Sequence, residues 1–220
     1  MNVRSLTVGF VLGMLAVAGV GAAFSQDKGG GQAPAQPSPD EMQKMMKEWA
    51  ASIEVREEHK ALAKWAGTYD TTTRVWIMGP DQPPQEFKGA SEMKAVLGGR
   101  FLQQNDHSQM LLPNPETGAP ELKPMEGMGF LGYDNYQRMY VGCWASSSST
   151  QLLTMRGGMS PDGKKLTLYA EMDEPMLGVR GRLIKCVTQF IGDDTQVFSV
   201  YDLHAGDDYK AFEIEYKRRK

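Results

Sequence analysis

The sequence predicts a mainly β fold: an antiparallel β-barrel of about ten strands behind an N-terminal helical segment. Three observations predict it. From Gly67 onward, short runs rich in β-branched and aromatic residues recur at near-regular spacing. Turn chemistry separates many of them, at Gly79-Pro80, Pro83-Pro84, Asp134-Asn135, Pro161-Asp162-Gly163, Gly192-Asp193-Asp194 and Ala205-Gly206-Asp207. No helical periodicity falls between the runs, so the strands are expected to follow one another as a meander. Strands laid side by side in an open sheet would leave two edges prone to association, and closure into a barrel removes both.

Taken in order, residues 1–25 have the layout of a secretory signal. Met1 to Arg4 is short and basic, Ser5 to Phe24 is apolar, and the small residues Ala22, Ala23 and Ser25 follow. Cleavage after Ala23 or after Ser25 fits equally. An uncleaved anchor is the alternative, because an apolar stretch of ~20 residues can just span a bilayer. Either reading places the folded part outside the cytoplasm, periplasmic or secreted. Residues 26–38 read QDKGGGQAPAQPS, a stretch with no large apolar residue to offset its ordering entropy, and hence a disordered linker.

Residues 39–66 are expected to form a helical cover. Ser38 can cap, Pro39 suits the first helical position and Glu41 completes a capping box. Met42, Met45, Met46, Trp49 and Ile53 then recur on one helical face. A second helical stretch, Glu54 to Trp65, carries Val55, His59, Leu62 and Ala66 on one stripe. The Met/Trp face is expected to pack against the domain, or else to meet a partner. The barrel domain is 67–220, with strands near 68–78, 85–97, 100–111, 127–134, 137–146, 150–159, 164–172, 179–191, 195–203 and 209–217. The stretch Pro113–Pro124 reads as a long loop suited to a mouth.

Composition excludes several classes. The net charge of −3 argues against a broad nucleic-acid surface. Two cysteines make neither a disulfide scaffold nor a zinc ribbon. Cys143 and Cys186 fall on apolar strands separated by two others, so two buried free thiols are expected rather than a bridge. His59, His107 and His204 lack metal-ligand spacing. Ser146 to Thr150 is a hydroxyl run without a nucleophile elbow, and the acidic pairs Asp173-Glu174, Asp193-Asp194 and Asp207-Asp208 read as turn chemistry. No catalytic set, metal site or cofactor is expected.

A barrel of this size can hold one small ligand. Tyr69, Tyr133 and Trp144 are aromatic residues on strands, and Arg100 follows a Gly-Gly bend. An apolar cavity lined by these four would suit a small apolar or amphipathic molecule, with Arg100 holding a carboxylate. The 15 methionines suit an adaptable apolar lining equally. In the competing reading the aromatics fill the core and Arg100 closes the barrel end. Two other functions stay open: an interaction module working through the Met/Trp helix, and a haem-binding barrel using His107 or His204. A Met125–Met128 copper pair has weaker support.

Several segments carry a family resemblance: Glu58-His59-Lys60 with Leu62, Gly67-Thr68-Tyr69-Asp70, Leu97-Gly98-Gly99-Arg100-Phe101-Leu102, Glu126-Gly127-Met128-Gly129, Gly132-Tyr133-Asp134-Asn135, Tyr140-Val141 with Trp144, and Glu213-Ile214-Glu215-Tyr216. Together, over roughly Glu54 to Arg219, they resemble the uncharacterised, mostly bacterial family called domain of unknown function 1579. The resemblance implies a lipocalin-like barrel and brings neither an activity nor catalytic residues. Two departures stand out. Tyr69 occupies a position where the family usually has Trp. Ala145-Ser146-Ser147 replaces a stretch that usually carries an acid.

Overall fold

The computed structural model describes residues 37–76, 82–175 and 177–220. The signal at 1–25, most of the linker and the Gly79-Pro80 turn lie outside the described residues. The chain divides into two units, residues 1–49 and 50–220. Helix α1 spans Pro39–Ser52. Its start is the expected capping box: the Ser38 N–H donates to Glu41 Oε2 at 2.7 Å, and the Glu41 N–H donates to Ser38 Oγ at 3.3 Å. None of its residues is buried, and Met45, Met46 and Trp49 are 47%, 44% and 44% exposed. Among the described residues, no helix is long and apolar enough to cross a membrane.

Residues 50–220 hold a short helix, α2 (Glu57–Ala63), and ten strands: β1 (Gly67–Val75), β2 (Gln85–Val96), β3 (Phe101–Pro113), β4 (Pro120–Asp134), β5 (Met139–Ser146), β6 (Leu153–Met159), β7 (Lys165–Glu174), β8 (Val179–Ile191), β9 (Thr195–Asp202) and β10 (Lys210–Arg218). Each strand pairs antiparallel with the next in sequence, and β10 pairs with β1 to close the barrel. Side chains alternate between faces, and the cross-strand register carries one inward set around the ring. Tyr69 lies opposite Ser91, Ser91 opposite Asp106, Asp106 opposite Gly127, and Gly127 opposite Ser146. On β7 the inward Leu166, Leu168 and Ala170 are buried, while Lys165, Tyr169 and Glu171 between them are exposed.

Strand boundaries shift by up to three residues at β1, β5 and β6, and the largest difference is at β4. β4 begins at Pro120, so the predicted loop Pro113–Pro124 shrinks to residues 114–119. Pro120 and Pro124 argue against a strand, because proline cannot donate to a ladder. Here they are tolerated because β5 pairs with β4 only from Gly127 to Asp134. Residues 120–125 therefore have a free outer edge, where a missing N–H costs no ladder bond. The tip is an Asx turn, with Asn114 Oδ1 accepting from the Glu116 and Thr117 N–H groups at 2.9 and 3.1 Å.

The core runs along the barrel from the end that α2 covers. Leu62 from α2 joins Tyr140, Leu166, Leu168, Ala170, Ile184, Cys186 and Val200. A second cluster holds Tyr69, Met93, Leu102 and Tyr216, with Trp65 packed against it. Residues 50–66 close this end by capping their carbonyls with barrel side chains. Asn135 Nδ2 donates to the Glu54 and Ser52 oxygens at 2.7 and 3.1 Å. Arg218 donates to the Ala66 and Lys64 oxygens at 2.6 and 3.0 Å. Both cysteines are free thiols. The inward Cys186 is buried, and burial pushes its thiol pKa up to about 12. Cys143 is half-buried on the outward face, so the two point to opposite sides of the sheet.

Candidate functional site

The inward face changes character along the barrel axis. Near the closed end Tyr69 and Leu166 are 0% exposed, and Met93, Leu102 and Tyr140 are buried with them. Toward the opposite end the inward residues Thr73, Val75, Phe87, Ser108, Leu153, Met172, Phe212 and Ile214 are only half-buried. The interior bordered by these residues, the chamber, is thus less shielded than the closed end, although Ala170, Ile184 and Val200 beside it stay buried. One wall is built of small and hydroxyl-bearing residues on β1 to β4: Thr71, Thr73, Gly89, Ser91, Ser108 and Gly127. The facing wall presents the partly buried Leu153, Met155, Met172 and Phe212, which pack against the core cluster that holds Val200. Trp144 fills the space left by two glycines. A Cβ at Gly127 would collide with its indole, and one at Gly129 would lie 2.6 Å from the ring.

Between core and chamber lies a polar floor. Gln104 Nε2 donates to both Asp106 oxygens at 3.0 Å and to Tyr216 Oη at 3.0 Å. The Tyr216 hydroxyl, reaching across the interior from β10, donates to Asp106 Oδ2 at 3.3 Å. Burial raises the Asp106 carboxyl above the usual carboxylate range, although donation from Gln104 and Tyr216 opposes the shift. Burial, reinforced by the Asp106 charge, pushes the Tyr216 phenol well above its ordinary value. Beside this floor, Gln196 Nε2 from β9 donates to Met93 Sδ on β2 at 3.3 Å, so the barrel's middle is bridged by side chains.

Near the open end stands an inward ion pair. Arg182 Nε and Nη2 lie 2.6 and 2.5 Å from Asp202 Oδ2, with both side chains about five-sixths shielded, at 16% and 15% exposure. Burial alone would raise the Asp202 pKa. Hydrogen bonds from Arg182 and from the His204 N–H outweigh it and hold the carboxyl below its usual range.

The structure does not bring the four sequence-predicted binding residues together. Tyr69 is a core residue whose hydroxyl donates to the Trp65 oxygen at 2.7 Å and whose ring meets Tyr216 edge-on. Tyr133 stacks edge-on with Tyr140 and His59 beneath the cover. Arg100 lies at the closed end, donating to the Ile53 oxygen at 2.8 and 3.1 Å, so the arginine expected in the cavity is a clamp on the cover. Trp144 alone of the four lines the chamber. The haem candidates point elsewhere: the side chain of His107 is 68% exposed on the outward face, and His204 sits exposed on the β9–β10 turn. Met125 and Met128 fall on opposite faces of β4, so they cannot share a copper ion. Among the described residues, no group of three or more His, Cys, Asp or Glu side chains could hold a metal.

Asp106, Gln104 and Tyr216 were missed as candidates, as were Arg182 and Asp202. Their signal was phase: Gln104, Asp106 and Ser108 alternate in step with the buried Leu102, which puts polar groups on an inward face.

Three comparisons bear on identity. The family model described as "Protein of unknown function (DUF1579)" matches residues 54–218. A search of the curated proteins found no match. Among solved structures, a redesigned beta barrel is similar at 11% identity and a TM-score of 0.34, covering 73% of this chain and 96% of its own.

Proposed function

The chain belongs to the family described as Protein of unknown function (DUF1579), and from that premise we propose that it binds a small apolar or amphipathic molecule non-covalently in the open half of its barrel. The observation that carries the proposal is a set of apolar inward residues left half-buried toward the uncovered end of the barrel. A barrel evolved only for stability gains by filling both halves, since each apolar Å² removed from water is worth roughly 25 cal/mol. This one leaves Val75, Phe87, Met172 and Phe212 on its inward face half-buried. An apolar guest would finish their burial. The signal-like segment at 1–25 supports an exported setting, periplasmic or secreted, for that binding.

The test is the molecule the protein carries. Full-length protein, expressed with its own leader and purified from the exported fraction, is examined by ultraviolet–visible spectroscopy. It is then denatured, and its organic extract is analysed by mass spectrometry. A stoichiometric apolar or amphipathic compound is the expected result. An empty extract, together with no fluorescence response of the neutral dye Nile red, would overturn the proposal.

A further inference from the structure

The interior ionic groups favour one charge type in the guest. The expectation from sequence was an arginine selecting a carboxylate, but Arg100 lies on the cover with its guanidinium on Ile53. The inward arginine near the open end, Arg182, is neutralised by Asp202 at 2.5–2.6 Å. At the closed end Arg218 pairs with Asp194 at 3.3 Å and caps the Ala66 and Lys64 carbonyls. That leaves Asp106. It is 6% exposed, and among the described residues no cation pairs with it. Its hydrogen bonds come from the neutral Gln104 and Tyr216. A buried carboxyl without a counter-charge is costly, and such groups concentrate at functional sites.

The surroundings fit a cation. Asp106 lies opposite Gly127 in the β3–β4 register, and the Trp144 indole covers Gly127. A carboxyl near an indole can offer an organic ammonium both an ion pair and a cation–π contact. Leu153, Met155, Met172 and Phe212, partly buried against the core cluster, offer apolar surface to an alkyl or aryl body. We propose that the barrel selects an amphipathic amine, seated tail-out with its ammonium between Asp106 and Trp144. This rests on the reading of the open half as a ligand site.

Octylamine, 1-octanol and octanoate share one tail and differ in head charge. Their affinities for the full chain are measured at pH 7 by isothermal titration calorimetry. Octylamine is expected to bind at least tenfold more tightly than octanol, and octanoate more weakly than both. In Asp106→Asn the amine advantage should vanish while octanol affinity is kept. In Trp144→Leu, a second variant that leaves the polar floor intact, it should shrink several-fold. Octanol binding with no amine preference overturns the inference and leaves the ligand site standing. An amine preference that survives in Asp106→Asn overturns it too. No binding by any of the three overturns both.

Discussion

The two ends of this barrel are made from the same ten strands and solve opposite problems. At the closed end, residues 50–66 lie across the strand ends, and their backbone oxygens are capped by Tyr69, Arg100, Asn135 and Arg218. The interior beneath them is packed to exclusion of water around Leu62, Tyr69 and Leu166. At the open end the inward face continues in register, Val75, Phe87, Met172 and Phe212 stay half-buried, and one wall shrinks to glycine, serine and threonine. The difference teaches that packing is divided along the barrel axis, and the proposed binding would use the less packed part. Cohesion is concentrated in the closed half, which frees the other half to remain partly wet.

The division can be broken most forcefully at Leu62. Leu62→Ala removes the cover's deepest side chain from a closed core, and a loss of about 2–5 kcal/mol is expected in urea unfolding. A loss below 1 kcal/mol would mean that the cover is not what holds that end.

Asp106→Asn comes next and acts in the opposite direction. The carboxyl's folded pKa is raised by burial, so ionisation is disfavoured in the folded state. The penalty is absent below the ordinary aspartate range and grows as pH rises through that range to the raised folded value. The Asn variant should therefore match the parent near pH 3 and be more stable at pH 7. Thermal unfolding at both pH values checks this, and a variant equally stable at both would contradict it.

Arg100→Ala sharpens the account of the cover. The charge-assisted bonds to the Ile53 oxygen sit on a partly exposed surface, so about 1 kcal/mol of stability should be lost with no change in ligand affinity. A fall in affinity would return Arg100 to the binding site. The smallest effect is expected at the open end, where Thr73→Val should leave stability within about 0.5 kcal/mol in the same urea titration.

Much of the fold was legible because a closed antiparallel barrel writes itself in period-two runs and turn dipeptides. The runs at 85–97, 179–191 and 195–203 match β2, β8 and β9 to within a residue. The β3–β4 hairpin was misjudged because proline is informative only when the strand edge it sits on is known, and pairing with β5 is a tertiary fact. Arg100 was misplaced for a similar reason. Leu97, Gly98 and Gly99 have φ of 53°, 67° and 84°, and this left-handed bend delivers the guanidinium to Ile53 rather than into the barrel. Residue types at 97–100 show that the chain bends there but not which way the next side chain leaves. Trp144 was found because a large aromatic on a strand needs room, and Gly127 and Gly129 supply it. Asp106 and Arg182 escaped notice because a lone charge in a strand reads as outward until the phase of its neighbours is followed.

The central claim is that the open half of the barrel, and not its outer surface, receives a small guest. The most direct measurement is a crystal structure of the full chain with 1-bromooctane, read by anomalous scattering from the bromine. The account predicts one well-occupied site inside the barrel, between Trp144 and Phe212, with the closed core around Leu62 and Tyr69 unchanged. Bromine found only on the outer surface, with the interior beside Trp144 already closed by side chains, would contradict it.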